Sequence, residues 1–136
     1  MRHVAALTVL LTGLIAAPSA ARAQELFAFR SPSGNIGCQL DASAARCDIR
    51  ARDWSPPPKP AGCEVDYGQG LTISRTGSRG RFVCAGDTAL GAGPTLAYGR
   101  TVRRGVISCT LRRSGVTCKN ARGHGFRLSR ESYRRF

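Results

Sequence analysis

Apolar residues in this chain alternate with polar or small ones in short runs, and one such pattern appears twice. Ile36-x-Cys38-x-Leu40 is followed, after Asp41 to Ala44, by Ala45-x-Cys47-x-Ile49; Ile107-x-Cys109-x-Leu111 is followed, after Arg112 to Gly115, by Val116-x-Cys118-x-Asn120. Side chains on a strand alternate between its two faces, so each run places its cysteine on the apolar face. Folding back over the intervening stretch opposes Leu40 to Ala45, Cys38 to Cys47 and Ile36 to Ile49. The second copy opposes Leu111 to Val116 and Cys109 to Cys118. Directly opposed side chains lie close enough for a cross-strand disulfide, and both stretches are read as disulfide-closed hairpins.

Other short runs extend this picture. Strands are expected over Gln24 to Arg30, around Leu71 and Ile73, over Arg81 to Cys84, before the second hairpin, and within Gly123 to Ser129. Ser55 to Pro60 reads as an extended proline-rich crossover, and Trp54 beside it as a core or lid residue. Gly68-x-Gly70 and Gly91-x-Gly93 are too short for a phosphate cradle and read as turns. Ser129 to Phe136 has room for one helical turn, with Tyr133 and Phe136 folding back onto the core. No stretch sustains a helical period of ten residues or more. The fold class is mainly β: a small single domain of short antiparallel strands and Gly-rich turns, with at most a short C-terminal helical turn. Residues 34–47 match residues 105–118 at Gly, Ile, Cys, Leu, Ser and Cys. Hairpin geometry alone selects much of that match, so it does not establish duplication.

Composition adds a compartment. Met1-Arg2-His3, an apolar run from Val4 to Ala17 and the small-x-small ending Ala21-Arg22-Ala23 read as a secretory signal peptide over residues 1–23. The run is too short to be a membrane span, and no later stretch is apolar enough to be one. Residues 24–136 then form one domain, secreted or periplasmic, holding all six cysteines. Six cysteines in a small exported chain read as disulfides; with the hairpins fixing two, Cys63–Cys84 follows by elimination. No Cys-x-x-Cys spacing supports zinc, and no cofactor or metal is expected.

Several strings carry a resemblance. Phe29-Arg30-Ser31-Pro32-Ser33-Gly34-Asn35-Ile36-x-Cys38, Arg46-Cys47-Asp48-Ile49, Asp66-Tyr67-Gly68-x-Gly70-Leu71 and Phe82-Val83-Cys84-Ala85-Gly86-Asp87-Thr88 are four of them. With Tyr98-Gly99 and Gly123-His124-Gly125-Phe126-x-Leu128-Ser129-Arg130, the chain is similar to a family of small exported bacterial proteins known only as a domain of unknown function. The resemblance implies an exported, cysteine-paired domain and supplies no activity, ligand or catalytic residue.

Charge points to partners. The chain has a formal net charge of +13; two arginines and no acids lie in residues 1–23, leaving +11 on residues 24–136. Lys59 and Lys119 are its two lysines, and the rest of the excess is arginine, whose planar fork suits phosphate, sulfate and carboxylate. Arg75, Arg79 and Arg81 form one cluster, with Arg100 beginning another. The anion-binding candidates are Arg103, Arg104, Arg112, Arg113, Arg127, Arg130, Arg134 and Arg135. An anionic glycan, a lipid headgroup or an acidic protein fits them. Sequence-specific nucleic-acid reading is not expected, for want of a recognition helix or an aromatic stacking sheet.

A catalytic reading rests on His124, set between two glycines, with Asp66, Asp87 or Glu131 to orient it and Ser129 or Thr88 as nucleophile. No Gly-x-Ser-x-Gly or His-Glu-x-x-His spacing supports it, and a glycine-flanked histidine is usually a turn residue. The expectation is an exported binding or envelope-associated module. A small His124-dependent hydrolase is the alternative, and an antagonist of an acidic protein the third reading.

Overall fold

The computed structural model describes residues 13–16 and 25–136. Apart from 13–16, the expected leader lies outside the described residues. Ten strands follow in chain order: β1 Phe27–Arg30, β2 Ile36–Leu40, β3 Ala44–Ile49, β4 Tyr67–Ser74, β5 Arg81–Cys84, β6 Thr101–Arg104, β7 Ile107–Arg112, β8 Gly115–Lys119, β9 Gly125–Leu128 and β10 Tyr133–Arg135. Strands β1 to β5 form one antiparallel meander, sheet A, and β6 to β10 a second, sheet B. Among the described residues no helix is long and apolar enough to cross a membrane.

Both hairpins have the register that period-two patterning dictates. Ile36 faces Ile49, Cys38 faces Cys47 and Leu40 faces Ala45; Cys109 faces Cys118 and Leu111 faces Val116. All three disulfides form as expected, Cys38–Cys47, Cys63–Cys84 and Cys109–Cys118. The hairpin pairs have Cα–Cα separations of 4.1 Å, as in the closer class of antiparallel pair.

The sheets meet through their cysteine faces. Strand β3 crosses β7 and β8, and β4 meets β9. The inner residues of both sheets, including Phe29, Leu40, Leu71, Ile73, Leu111, Phe126 and Leu128, form one core. At its centre the hairpin disulfides touch, with Cys47 Sγ 3.6 Å from Cys118 Sγ. The edges are closed by arginine over aromatic. Arg104 of β6 lies 4.6 Å from the Phe27 ring of β1, and Arg135 of β10 lies 5.2 Å from the Phe82 ring of β5.

The outer face of sheet A is covered. Its strand β3 presents Arg46 and the fully buried Asp48. Arg46 Nε donates to Asp48 Oδ1 at 2.9 Å and Nη2 to Asp48 Oδ2 at 2.7 Å, while Nη1 donates to Asp87 Oδ1 at 2.8 Å. Asp48 also accepts from the Ala89 amide at 2.9 Å. Burial disfavours the Arg46 charge, but its bonds to Asp48 and Asp87 outweigh that and raise its pKa above the ordinary value. This network holds the segment after β5 across the sheet as a strap. Gly37 is required beneath it, because a Cβ there would meet the Ala89 carbonyl; Gly93, at φ 74°, passes the Ala28 carbonyl as closely. The strap then joins the far edge, where Arg30 donates to Pro94 O at 3.0 Å and Leu96 donates to Arg30 O at 2.9 Å.

Three local expectations change. Arg112 pairs with Gly115 as the last rung of the β7–β8 ladder, so the turn is Arg113–Ser114 rather than four residues. The tail is strand β10, paired to β9, and not a helical turn, because the ladder with β9 takes its backbone groups. Gly68 and Gly70 lie within β4, where a Cβ on Gly70 would strike the Cys47 carbonyl of β3. Gly91 and Gly93 do sit in turns.

Replacing both cysteines of the first hairpin by Ala should lower unfolding free energy by about 3 kcal/mol from loop closure, before any cavity cost; urea unfolding measures it. Replacing Arg46 with Met strips a buried carboxylate of its cation and should cost about 3 kcal/mol. An unchanged urea midpoint for Arg46→Met would show that the strap is not held by this pair.

Candidate functional site

Strand parity sorts the arginines. On sheet B the inner positions are apolar except for Arg104 and Arg135 on the edge strands, so the outer face carries Thr101 and Arg103 on β6, Ser108, Thr110 and Arg112 on β7, Thr117 and Lys119 on β8, Arg127 on β9 and Arg134 on β10. The register aligns them: Thr101, Thr110, Thr117, Arg127 and Arg134 stand opposite one another in one row across all five strands. Thr101 and Thr110 hydroxyls are 2.7 Å apart. A second row holds Arg103, Ser108 and Lys119. Five cations share this face, all of them exposed, and none makes an ion pair among the described residues. No strand of sheet B contains a carboxylate.

The other four candidate arginines do different things. Arg104 and Arg135 cap aromatic rings at the sandwich edges, as above. Arg113 lies in the hairpin turn with its guanidinium 4.9 Å from the Tyr98 ring centre, and Arg130 approaches Asp53 at 3.9 Å. Arg113 and Arg130 join Arg112 in lining a cleft of about 400 Å³ at one end of the sandwich. The face and the cleft therefore share Arg112.

The catalytic candidates are placed apart. His124 sits in the β8–β9 turn, where Asn120 Oδ1 accepts its amide at 3.2 Å and the Asn120 amide donates to its carbonyl at 2.9 Å. Asp66 and Asp87 line a separate cleft with Arg52 and Gln69 beside β4. Arg46 binds the Asp87 carboxyl and holds it below the ordinary carboxylate range. Thr88 Oγ1 donates to Asp48 at 3.3 Å, and Ser129 Oγ donates to the Ser132 carbonyl at 3.0 Å. Glu131 lines the arginine cleft. Cys47, Cys109 and Cys118 bring three sulfurs together, but each is committed to a disulfide and offers no thiolate for a metal.

A family model described as a family of unknown function (DUF6636) matches residues 9–136. The chain belongs to that family. No curated protein and no solved structure matches it.

Lys119 and the hydroxyls of Thr101, Thr110 and Thr117 were absent from the sequence-derived clusters. Clustering arginines by proximity in the chain hid them; the parity of each strand, read from its cysteine, would have found them. Just past β3, side-chain contacts separate Arg50, which is exposed, from half-buried Arg52, which donates to Gly68 O at 2.6 Å and stacks 4.7 Å from the Trp54 ring. Trp54 itself is half-buried, with Nε1 donating to Ser129 O at 2.9 Å. Arg52→Ala should therefore destabilise the fold by about 1–2 kcal/mol, while Arg50→Ala should shift it by less than about 0.5 kcal/mol. Equal thermal midpoints for the two variants would contradict that division.

Proposed function

We propose that this protein is an exported binding module that holds an anionic polymer against the outer face of sheet B. The observation that supports this reading is the segregation of charge: five exposed cations on one sheet face whose strands carry no carboxylate. A cation surface with no internal counter-charge gains from meeting an anion and loses little to competing pairs. The hydroxyls between the cations add donors that fit oxygen-rich groups. The leader-like N-terminus and three disulfides support export, since such pairs persist in oxidising compartments. His124, by contrast, lies in a turn whose backbone it completes, and it lines none of the clefts described above.

Binding to dextran sulfate should be measurable while neutral dextran does not bind. Raising salt from roughly 50 to 200 mM should weaken it by on the order of a hundredfold if the five cations all engage. The double variant Arg127→Glu with Arg134→Glu should lose more affinity than Arg30→Glu with Arg81→Glu, which makes the same charge change at exposed positions on sheet A. Equal losses from the two pairs, or binding indifferent to salt, would mean that the face is only a solvated surface.

A further inference from the structure

The cleft beside Arg112 is built rather than incidental. Four segments converge on it: the β1–β2 turn, Tyr98 from the crossover between sheets, the Arg113–Ser114 hairpin turn, and the link from Ser129 to Glu131. Each is pinned. Ser31 Oγ accepts the Ile36 amide at 3.1 Å, and Asn35 exchanges two bonds with the Ala51 backbone at 2.7 and 3.0 Å. The Gly99 amide donates to Leu111 O at 2.7 Å, and the Asp53 backbone amide donates to Arg130 O at 2.8 Å. Tyr98 supports the Arg113 guanidinium from below. A pocket held this way pays little ordering cost when a ligand enters.

Its chemistry is mixed in a specific sense. Arg112, Arg113 and Arg130 supply guanidiniums for an anionic group, while Glu131 and the serine hydroxyls at the turn supply acceptors. A ligand satisfying both must carry a negative group and neighbouring hydroxyl donors in one small unit. Resting on the polymer-binding reading above, we infer that the polymer is an acidic polysaccharide and that this cleft seats its terminal sugar, bearing a carboxylate or a sulfate. The volume suits one or two sugar rings. Arg112, shared by the cleft and the open face, carries the chain from one to the other.

Other anionic polymers fit less well. Polyphosphate offers Glu131 no donor. Nucleic acid needs open rings for successive bases, and the one aromatic ring here, Tyr98, is capped by Arg113. A bilayer needs apolar groups at the rim. The exposed large apolar residues of the described chain are Leu14, Ile15, Leu26, Val65 and Val106, and none lines the cleft. Val106 lies in the β6–β7 turn, at the opposite end of β7 from Arg112.

The test titrates the full-length protein by calorimetry with galacturonic acid dimers and trimers, their carboxyl-reduced forms and sulfated equivalents. Dextran sulfate, polyphosphate and phosphatidylglycerol vesicles are compared with them. Short acidic oligomers should bind and their carboxyl-reduced forms should not; whichever of carboxylate and sulfate binds more tightly names the group. Arg113→Ala, and separately Arg130→Ala, should weaken the dimer about tenfold, the loss of one charge-assisted contact. Arg103→Glu with Lys119→Glu should change dimer binding by less than about threefold while weakening dextran sulfate, because those residues lie on the face and outside the cleft. Thermal melts confirm that each variant folds. If dextran sulfate binds but the oligomers do not, or if neither cleft variant matters, the cleft assignment falls and polymer binding stands. If polyphosphate or vesicles match the oligouronates, the sugar assignment is overturned. If dextran sulfate fails to bind at all, the polymer-binding reading falls with it.

Discussion

The contact between two disulfides at the centre of the sandwich fixes more than stability. Cys38–Cys47 and Cys109–Cys118 each clamp a hairpin at a single rung, and Cys47 then lies against Cys118 across the sheet interface. A one-residue slip in a strand would send its whole apolar set to solvent. A covalent rung forbids that slip, and the sulfur contact positions one hairpin on the other. The core around them is made of medium-sized side chains, with Phe29 and Phe126 the largest that are fully buried. In a domain of this size the crosslinks supply what apolar burial alone does not.

Locked register decides which side chains face outward, and the two sheets use that decision differently. Sheet A turns Arg46 and Asp48 outward and then buries them beneath the strap, where the charges bind each other, Asp87 and the Ala89 amide. At its centre these polar groups are consumed in holding the chain's own crossover, and exposed Arg30 and Arg81 lie on its edge strands. Sheet B has the same strand order, yet its outer cations stay exposed. Similar meanders thus yield one closed face and one open face, and the difference is carried by whether a carboxylate accompanies the cations.

Much of this scaffold was legible from the sequence because it rests on local rules. Period two, cysteine spacing and short turns gave the hairpin partners, and elimination gave Cys63–Cys84. The strap was not legible: Arg46 meets Asp87 across forty-one positions, and nothing in either neighbourhood signals the other. Tail strand β10 was equally hidden, since three residues have no period of their own and become a strand only by pairing with β9. For the candidate face, arginine density pointed to the half of the chain that forms sheet B but did not sort which of its arginines share a face. Density along the chain is blind to parity, and parity divides neighbours such as Arg103 and Arg104, or Arg134 and Arg135, between opposite faces.

That division gives the positive charge two physical roles. Arg104 and Arg135 point inward on the two edge strands of sheet B and cover Phe27 and Phe82 on the two edge strands of sheet A. There the long side chain shields an aromatic ring while its charged end reaches water, which closes an open sandwich edge without adding a strand. Arg103 and Arg134, one residue away on the same strands, face outward and are exposed, Arg134 passing 5.5 Å from the Phe136 ring centre. The net charge of the chain therefore overstates the cations free to meet a ligand. What distinguishes the free ones is their sharing a face with Lys119, the threonine row and no acid, and that arrangement is a property of register rather than of composition.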